Sequence, residues 1–271
     1  MKTWVIGLLA LCGFVAQAHS VCTRPVLQSA VDSYLAAQKA GDRTKMAFTE
    51  KVKFLENMSE VASDAGLWNT ALPIAFSRSF LDVDRCRTFS EVIVTEGGHP
   101  YVIGTRLTVE DGKISVIDSL VTDKGDWLFN ANNYLKYSTA EDWRPLSPAE
   151  RISKQDLIDA GNQYLDLFSD KLVEAPWGIP CARLEGGAYT NRKNEPNPTC
   201  KVGIPPGVLY IVNRDYVVDE EMGVVNIYCR FGNSQTGTPD SHTFRLENGK
   251  FRYIHTLSVT TGRDSPQVED Y

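Results

Sequence analysis

The chain has 271 residues, of which 42% are hydrophobic and 23% charged, and a formal net charge of -6 at pH 7. That is enough apolar material for more than one core. The acidic balance excludes general attraction to phosphate backbones or anionic bilayers, so neither nucleic acid nor a membrane is an expected partner.

Lys2, the apolar run Trp4 to Val15 and the small-residue ending Ala16-Gln17-Ala18 have the form of a secretory signal peptide over residues 1–18. No later stretch reaches the roughly 18 to 20 apolar residues that a membrane span needs. Cleavage would remove Lys2, take the charge from -6 to -7, and send the chain out of the cytosol. Cys12 would leave with the leader, so five of the six cysteines remain. On an oxidising route the expected pairs are Cys22 with Cys86, tying the N-terminus to the first sheet, and Cys181 with Cys200, closing the loop between them. Cys229 is then the odd thiol, expected as a small buried hydrophobe. Asn57-Met58-Ser59 is a glycosylation sequon, whereas Pro198 disqualifies Asn197.

Leu27, Ala30, Val31, Tyr34 and Leu35 fall at helical spacing on one face, and Gly41 supplies a stop. Val92 to Thr95, Tyr101 to Val109 and Ile114 to Val121 read as consecutive antiparallel strands, separated by Gly97-Gly98 and Asp111-Gly112. Trp143-Arg144-Pro145 opens a linker (143–152) between two α+β domains, 19–142 and 153–271. Ser147 with Glu150 and Ser153 with Asp156 offer helix caps. Leu157, Ile158, Tyr164, Leu165 and Phe168 then make one apolar helix face. Strands are predicted at Val208 to Val212, Tyr216 to Val218, Val224 to Phe231, His242 to Leu246 and Phe251 to Val259.

Three landmarks recur in order. Ala30 to Leu35 is echoed by Ala160 to Leu165, Phe54 to Asn57 by Arg183 to Gly186, and Asp111 to Leu120 by Asn248 to Leu257, at offsets of 130, 129 and 137. The pattern predicts two copies of one helix-then-sheet unit, each with a concavity, paired either within the chain or across a homodimer. The layout resembles the SnoaL-like and nuclear transport factor two-like cone fold. Pro176 to Gly178, Pro180 to Gly187, Arg214 to Asp219 and Pro239 to Arg245 are similar to a fungal secreted family of largely uncharacterised domains. Cone folds host isomerases, dehydratases, cyclases and binding modules alike, so the resemblance implies a fold and leaves the activity open.

There is no glycine-rich phosphate loop, no GxSxG elbow, no His-x-x-x-His and no paired CxxC, so no cofactor and no metal are expected. Candidate chemistry rests on polar residues along apolar strand faces. A period of two places His255 with Phe251, Tyr253 and Leu257, and His242 with Phe244 and Leu246. A hairpin at Asn248-Gly249 would bring both imidazoles to one cavity as a general acid and base. Hydrogen-bonded core histidines are the plain alternative. Asp118 holds the position matching His255, with Arg106 as its expected partner. Arg183 and Glu185 share a strand face, with Tyr189 beyond, and either clamp a polar substrate group or bridge each other. Asp240 stands in a predicted turn before His242. Tyr164, Tyr228 and Tyr253 are expected in an aromatic wall that suits a flat, hydrophobic, oxygen-bearing small molecule.

These features point to a cofactor-independent cyclase, isomerase or dehydratase acting on a polyketide- or terpenoid-like substrate. His242, His255 and Tyr228 are its candidate catalytic groups, and Arg183 orients the substrate. The size and duplicated layout are similar to those of fungal secreted hetero-Diels-Alder enzymes. The alternative is a secreted binding or effector-like protein without turnover.

Overall fold

The computed structural model describes residues 22–260 apart from 202 and 233, so the leader expected at 1–18 lies outside the described residues. Helix α1 (Arg24–Ala40) forms where Leu27, Val31 and Tyr34 share a buried face. Pro25 fits its first turn, and Gly41 ends it in the left-handed region at φ 61. Strands β1 (Phe48–Glu56), β2 (Ser59–Glu60), β3 (Phe76–Asp82), β4 (Arg87–Val94), β5 (Tyr101–Glu110) and β6 (Lys113–Thr122) follow. Helices α2 (Ala131–Ala140) and α3 (Lys154–Asp166) lead into a second set: β7 (Ala182–Glu185), β8 (Ala188–Tyr189), β9 (Ile211–Asp219), β10 (Val224–Phe231), β11 (Thr238–Glu247) and β12 (Lys250–Ser258).

The sheet orders are β2-β1-β6-β5-β4-β3 and β8-β7-β12-β11-β10-β9, one topology used twice. This is the expected α+β layout, with α1 on one sheet and α3 on the other. Both sheets are mixed. The β1–β6 and β7–β12 ladders are parallel, since strands far apart in the chain are not bound by a tight hairpin to run antiparallel. The duplication holds residue by residue. Phe54 pairs with Ile117 and Arg183 with Ile254, matching the offsets of 129 and 137. The strands predicted separately at Val208 to Val212 and Tyr216 to Val218 join in the single β9, which starts only at Ile211 and leaves Val208 to Tyr210 outside it. Asn213, at φ 55, lies beside the register shift against β10 and breaks the apolar alternation there. Both expected disulfides are present, with Cα–Cα separations of 5.6 Å for Cys22–Cys86 and 5.1 Å for Cys181–Cys200. Cys229 is buried and free. Among the described residues, no helix is long and apolar enough to cross a membrane.

Each sheet has one face under its helix, and the opposite faces pack against each other within the chain. Phe80, Phe89 and Leu120 of the first sheet meet Val217, Tyr228 and Tyr253 of the second in one buried cluster with Trp143. At Gly104 any Cβ would lie 2.9 Å from the Phe89 ring of the adjacent strand, so glycine leaves room there for that ring in the seam. The clamp at one end is reciprocal. Asp219 accepts from the Leu81 N–H at 2.8 Å and pairs with Arg24 at 2.9 Å; Asp82 accepts from the Val218 N–H at 2.9 Å and pairs with Lys154 at 3.2 Å.

Charge is also buried between the sheets. Arg106 donates to the Asn226 side chain and backbone and to the Asp215 backbone, and its guanidinium lies 3.8 Å from the Tyr228 ring centroid. His255 lies between two carboxylates, with Nδ1 2.8 Å from Glu91 and Nε2 2.6 Å from Glu141. Glu91 also accepts from Tyr134 at 2.7 Å and Ser138 at 3.1 Å. Burial alone would lower the His255 pKa, but Glu141 and Glu91 outweigh it and raise the group to about 9. Burial likewise pushes Glu91 up, and His255 with Arg78 and Tyr134 brings it down to about 2.

Asp219→Ala strips partners from the buried Leu81 N–H and from Arg24, and should cost about 3–5 kcal/mol, read as a lower urea midpoint at unchanged slope. A raised histidine pKa stabilises fully below its ordinary value of 6.5, and that contribution is lost as pH rises through about 9. The resistance of wild type to chemical unfolding should therefore fall as pH rises between those values. The His255→Gln protein should lack that loss; an equal loss in the variant would remove His255 as its source.

Candidate functional site

Both histidines had been expected on one cavity, and the structure separates them. From the turn at Asn248-Gly249, Glu247 pairs with Lys250 and Leu246 with Phe251, a register that would set His242 opposite His255. A bulge between Arg245 and Leu246 inserts one residue into β12, so His242 pairs with Thr256 and Thr243 with His255. A one-residue slip moves every later side chain to the other face. The first copy carries the same shift between Thr108 and Val109. His242 therefore lies under α3, and His255 lies between the sheets.

The other predicted residues divide along the same boundary. Tyr228 donates to the Gly104 carbonyl at 2.5 Å, between the sheets. Tyr253 stacks on Trp143 at 5.5 Å between centroids, and Tyr189 on Tyr137 at 4.4 Å. Asp118 stands opposite Arg106 in the β5–β6 ladder, with Oδ1 buried and unpartnered. Burial outweighs Arg106 and raises its pKa to about 6. Asn57 occupies the turn between β1 and β2 at φ 52, its Oδ1 accepting from the Val121 N–H at 2.8 Å.

Tyr164, Arg183, Glu185 and His242 converge on a cavity of about 420 Å³ in the second unit. Tyr164 of α3 and Phe168 just after it form its apolar roof together with Phe231 and Pro205, and Trp127 and Leu128 close one side. The Cys181–Cys200 disulfide anchors the segment that carries Gly203 and Pro205. The floor is polar: Thr238, Asp240 and His242 on β11, with Thr256 and Ser258 on β12. Asp240 belongs to the strand and not to the predicted turn, because β11 already begins at Thr238.

At the wall, Arg183 donates to Tyr164 Oη at 2.8 Å and pairs closely with Glu185, which also accepts from Trp127 Nε1 at 2.8 Å. The Arg183–Glu185 bridge is present, and the bridged pair lines the cavity. Burial holds the Tyr164 hydroxyl up at about 12 despite Arg183, so it stays a donor. At the floor, Asp240 is fully buried and accepts from Ser258 at 2.7 Å. His242 Nδ1 is 3.1 Å from Asp240 Oδ2, but misaligned, so no hydrogen bond satisfies it. Thr256 Oγ1 is also buried without a partner. Unpaired polar atoms beneath an apolar roof can meet a ligand's oxygen.

The first unit shows the same positions self-satisfied. Tyr34, Thr105 and Ser119 correspond to Tyr164, His242 and Thr256, and form a buried chain in which Tyr34 Oη is 2.7 Å from Thr105 Oγ1, itself 2.8 Å from Ser119 Oγ. Sequence reasoning missed Thr256, Ser258, Trp127 and Pro205. Isolated threonine, serine and proline residues carry no periodic signal, and the face of Thr256 depended on the bulge.

No curated protein matches the chain. One solved structure, an NTF-2 like protein of unknown function from Burkholderia xenovorans LB400, is similar over 42% of this chain and 92% of its own, at 13% identity and a TM-score of 0.30. Residues 150–258, which supply every named cavity residue except Trp127, Leu128 and Thr260, match the profile of a family described as Domain of unknown function (DUF8021).

Proposed function

We propose that the second unit receives a small, largely apolar molecule bearing an oxygen, and that His242 acts on that oxygen as a proton donor. The observation that carries this reading is the pairing of an aromatic roof with a floor where the His242 Nδ1 and Thr256 Oγ1 atoms are buried and unpartnered. In the first unit the matching hydroxyls satisfy each other. With Nδ1 turned to Asp240, Nε2 is the nitrogen left to face a ligand. Arg183, held by Tyr164 and Glu185, orients the ligand's polar edge.

Such a site suits a cyclisation, isomerisation or dehydration. These reactions need a held conformer and one hydrogen bond to an enone or quinone-methide oxygen. A hetero-Diels-Alder addition is the specific form proposed. The apparent leader and two disulfides support a secreted enzyme. Uptake without turnover is the second reading, favoured by the Arg183–Glu185 bridge, which already satisfies part of the wall.

1-Naphthol, flat and carrying one oxygen, should bind the wild-type chain by calorimetry and quench tryptophan emission through Trp127. Thr256→Phe, which fills the floor, should abolish binding while circular dichroism stays unchanged. With an ortho-quinone-methide precursor and an electron-rich alkene, His242→Ala should slow adduct formation at least about 100-fold. Full rate in folded His242→Ala would remove His242 from the chemistry, and naphthol binding without any rate acceleration in wild type would leave the carrier reading.

A further inference from the structure

Cys229, Asp240 and His242 bring their ligand-capable atoms within 4.8 Å of one another, all three side chains being buried. Cys229 of β10 and Asp240 of β11 are direct partners in the ladder, and His242 is two residues further on, so all three project from the same face. Asp240 Oδ2 is the centre of the group, 3.1 Å from His242 Nδ1 and 3.9 Å from Cys229 Sγ. A tetrahedral zinc ion with bonds of about 2.0 to 2.3 Å separates such ligand atoms by about 3.3 to 3.6 Å. The observed spacings bracket that range, so an ion could be seated by small side-chain rotations.

Three further observations point the same way. His242 Nδ1 is buried, turned to the carboxylate and without a hydrogen bond. Asp240 is fully buried, and among the described residues no lysine or arginine pairs with it; the Ser258 hydroxyl and the Cys229 thiol are its donors, and the His242 ring stands beside it. A buried carboxylate demands a compensating charge. The same positions in the first unit are Val92, Ile103 and Thr105, which cannot supply this ligand set, so the cluster is peculiar to the half with the cavity.

We propose that Cys229, Asp240 and His242 form a mononuclear site for a borderline-soft divalent cation such as Zn2+, at the floor of the second-unit cavity. A thiolate and a carboxylate neutralise the ion, and imidazole completes three protein ligands, the number typical of a catalytic zinc site with one open position. Asp240 and His242 line the cavity, so the fourth position is reached from it. Coordination through Nδ1 leaves the Nε2–H as donor and makes it more acidic. The inference rests on the proposed small-molecule reading only for what the ion does to a ligand: acting through the imidazole, it would strengthen the Nε2–H as a donor to the ligand's oxygen. It also gives the odd cysteine a use in an oxidising compartment.

The test uses the full chain, treated with a chelator and titrated with Co2+ and then Zn2+. We expect one Co2+ per chain with a sulfur-to-cobalt charge-transfer band, bleached by one equivalent of Zn2+. The band should vanish in Cys229→Ser, and Asp240→Asn should weaken Co2+ binding at least about tenfold. Circular dichroism on each variant separates ligand loss from unfolding, and the wild-type band needs no variant at all. No cobalt–thiolate band in wild type, or one that persists in Cys229→Ser, overturns the site. 1-Naphthol uptake by chelator-treated protein is measured in parallel. Uptake without a cobalt band removes only the metal, whereas a cobalt band without uptake removes only the small-molecule reading.

Discussion

The packing of one sheet against the other is the contact on which the remaining architecture depends. Each six-stranded sheet has two faces, and one helix covers only one of them. The uncovered faces carry Phe89, Leu120, Tyr228 and Tyr253 together with Arg106, Glu91 and His255, and they are buried where they meet each other, α2 and Trp143. Apolar burial supplies the driving force. The buried charges supply register, since each finds its counter-charge or acceptor only in one alignment. Arg106 with Asn226, His255 between Glu91 and Glu141, and Asp82 and Asp219 each capping the other unit all join the halves.

That contact divides the titratable residues between two tasks. Arg106, Glu91 and His255 on the shared face are held by partners across the seam, although Asp118 keeps one buried oxygen unpartnered. Groups under a helix face an interior whose filling was free to diverge between the copies. In the first unit the interior closed, with Val31 and Tyr34 packed down and the hydroxyl chain through Thr105 complete. In the second, glycine stands at the helix position matching Val31. Gly161 lets the helix approach Ile227 so closely that an added Cβ would lie 2.6 Å from that side chain. Farther along α3, Tyr164 is drawn to Arg183 and away from His242. The hydroxyl chain is broken there, and a cavity stands in its place.

Stability and function therefore draw on the same kinds of residue in different settings. His255 is charged because two carboxylates flank it, and its role is to fasten the halves. His242, thirteen positions earlier and on the adjacent strand, has only Asp240 beside its Nδ1. Burial class does not distinguish them, as both are almost wholly enclosed. What distinguishes them is whether their partners are complete.

The sequence by itself determined the duplication, both disulfides, the two covering helices and most of the strands. These follow from local periodicity, turn residues and cysteine pairing, which act over short stretches of chain or repeat at a fixed offset. Arg183, Glu185, Tyr164 and His242 were also legible as cavity residues, because helical spacing sets the face of Tyr164 and alternation along uninterrupted strands sets the others. The sides of His255, Tyr253 and Asp118 were decided only by the tertiary structure. One bulged residue in β12 and one in β6 invert the alternation beyond them, and nothing in Lys250 to Tyr253 or in Ile114 to Val116 marks the insertion. The grouping of Cys229 with Asp240 and His242 was hidden for a related reason. Its members come from two strands whose register is fixed by hydrogen bonds along the whole ladder, and no spacing within one strand reveals it.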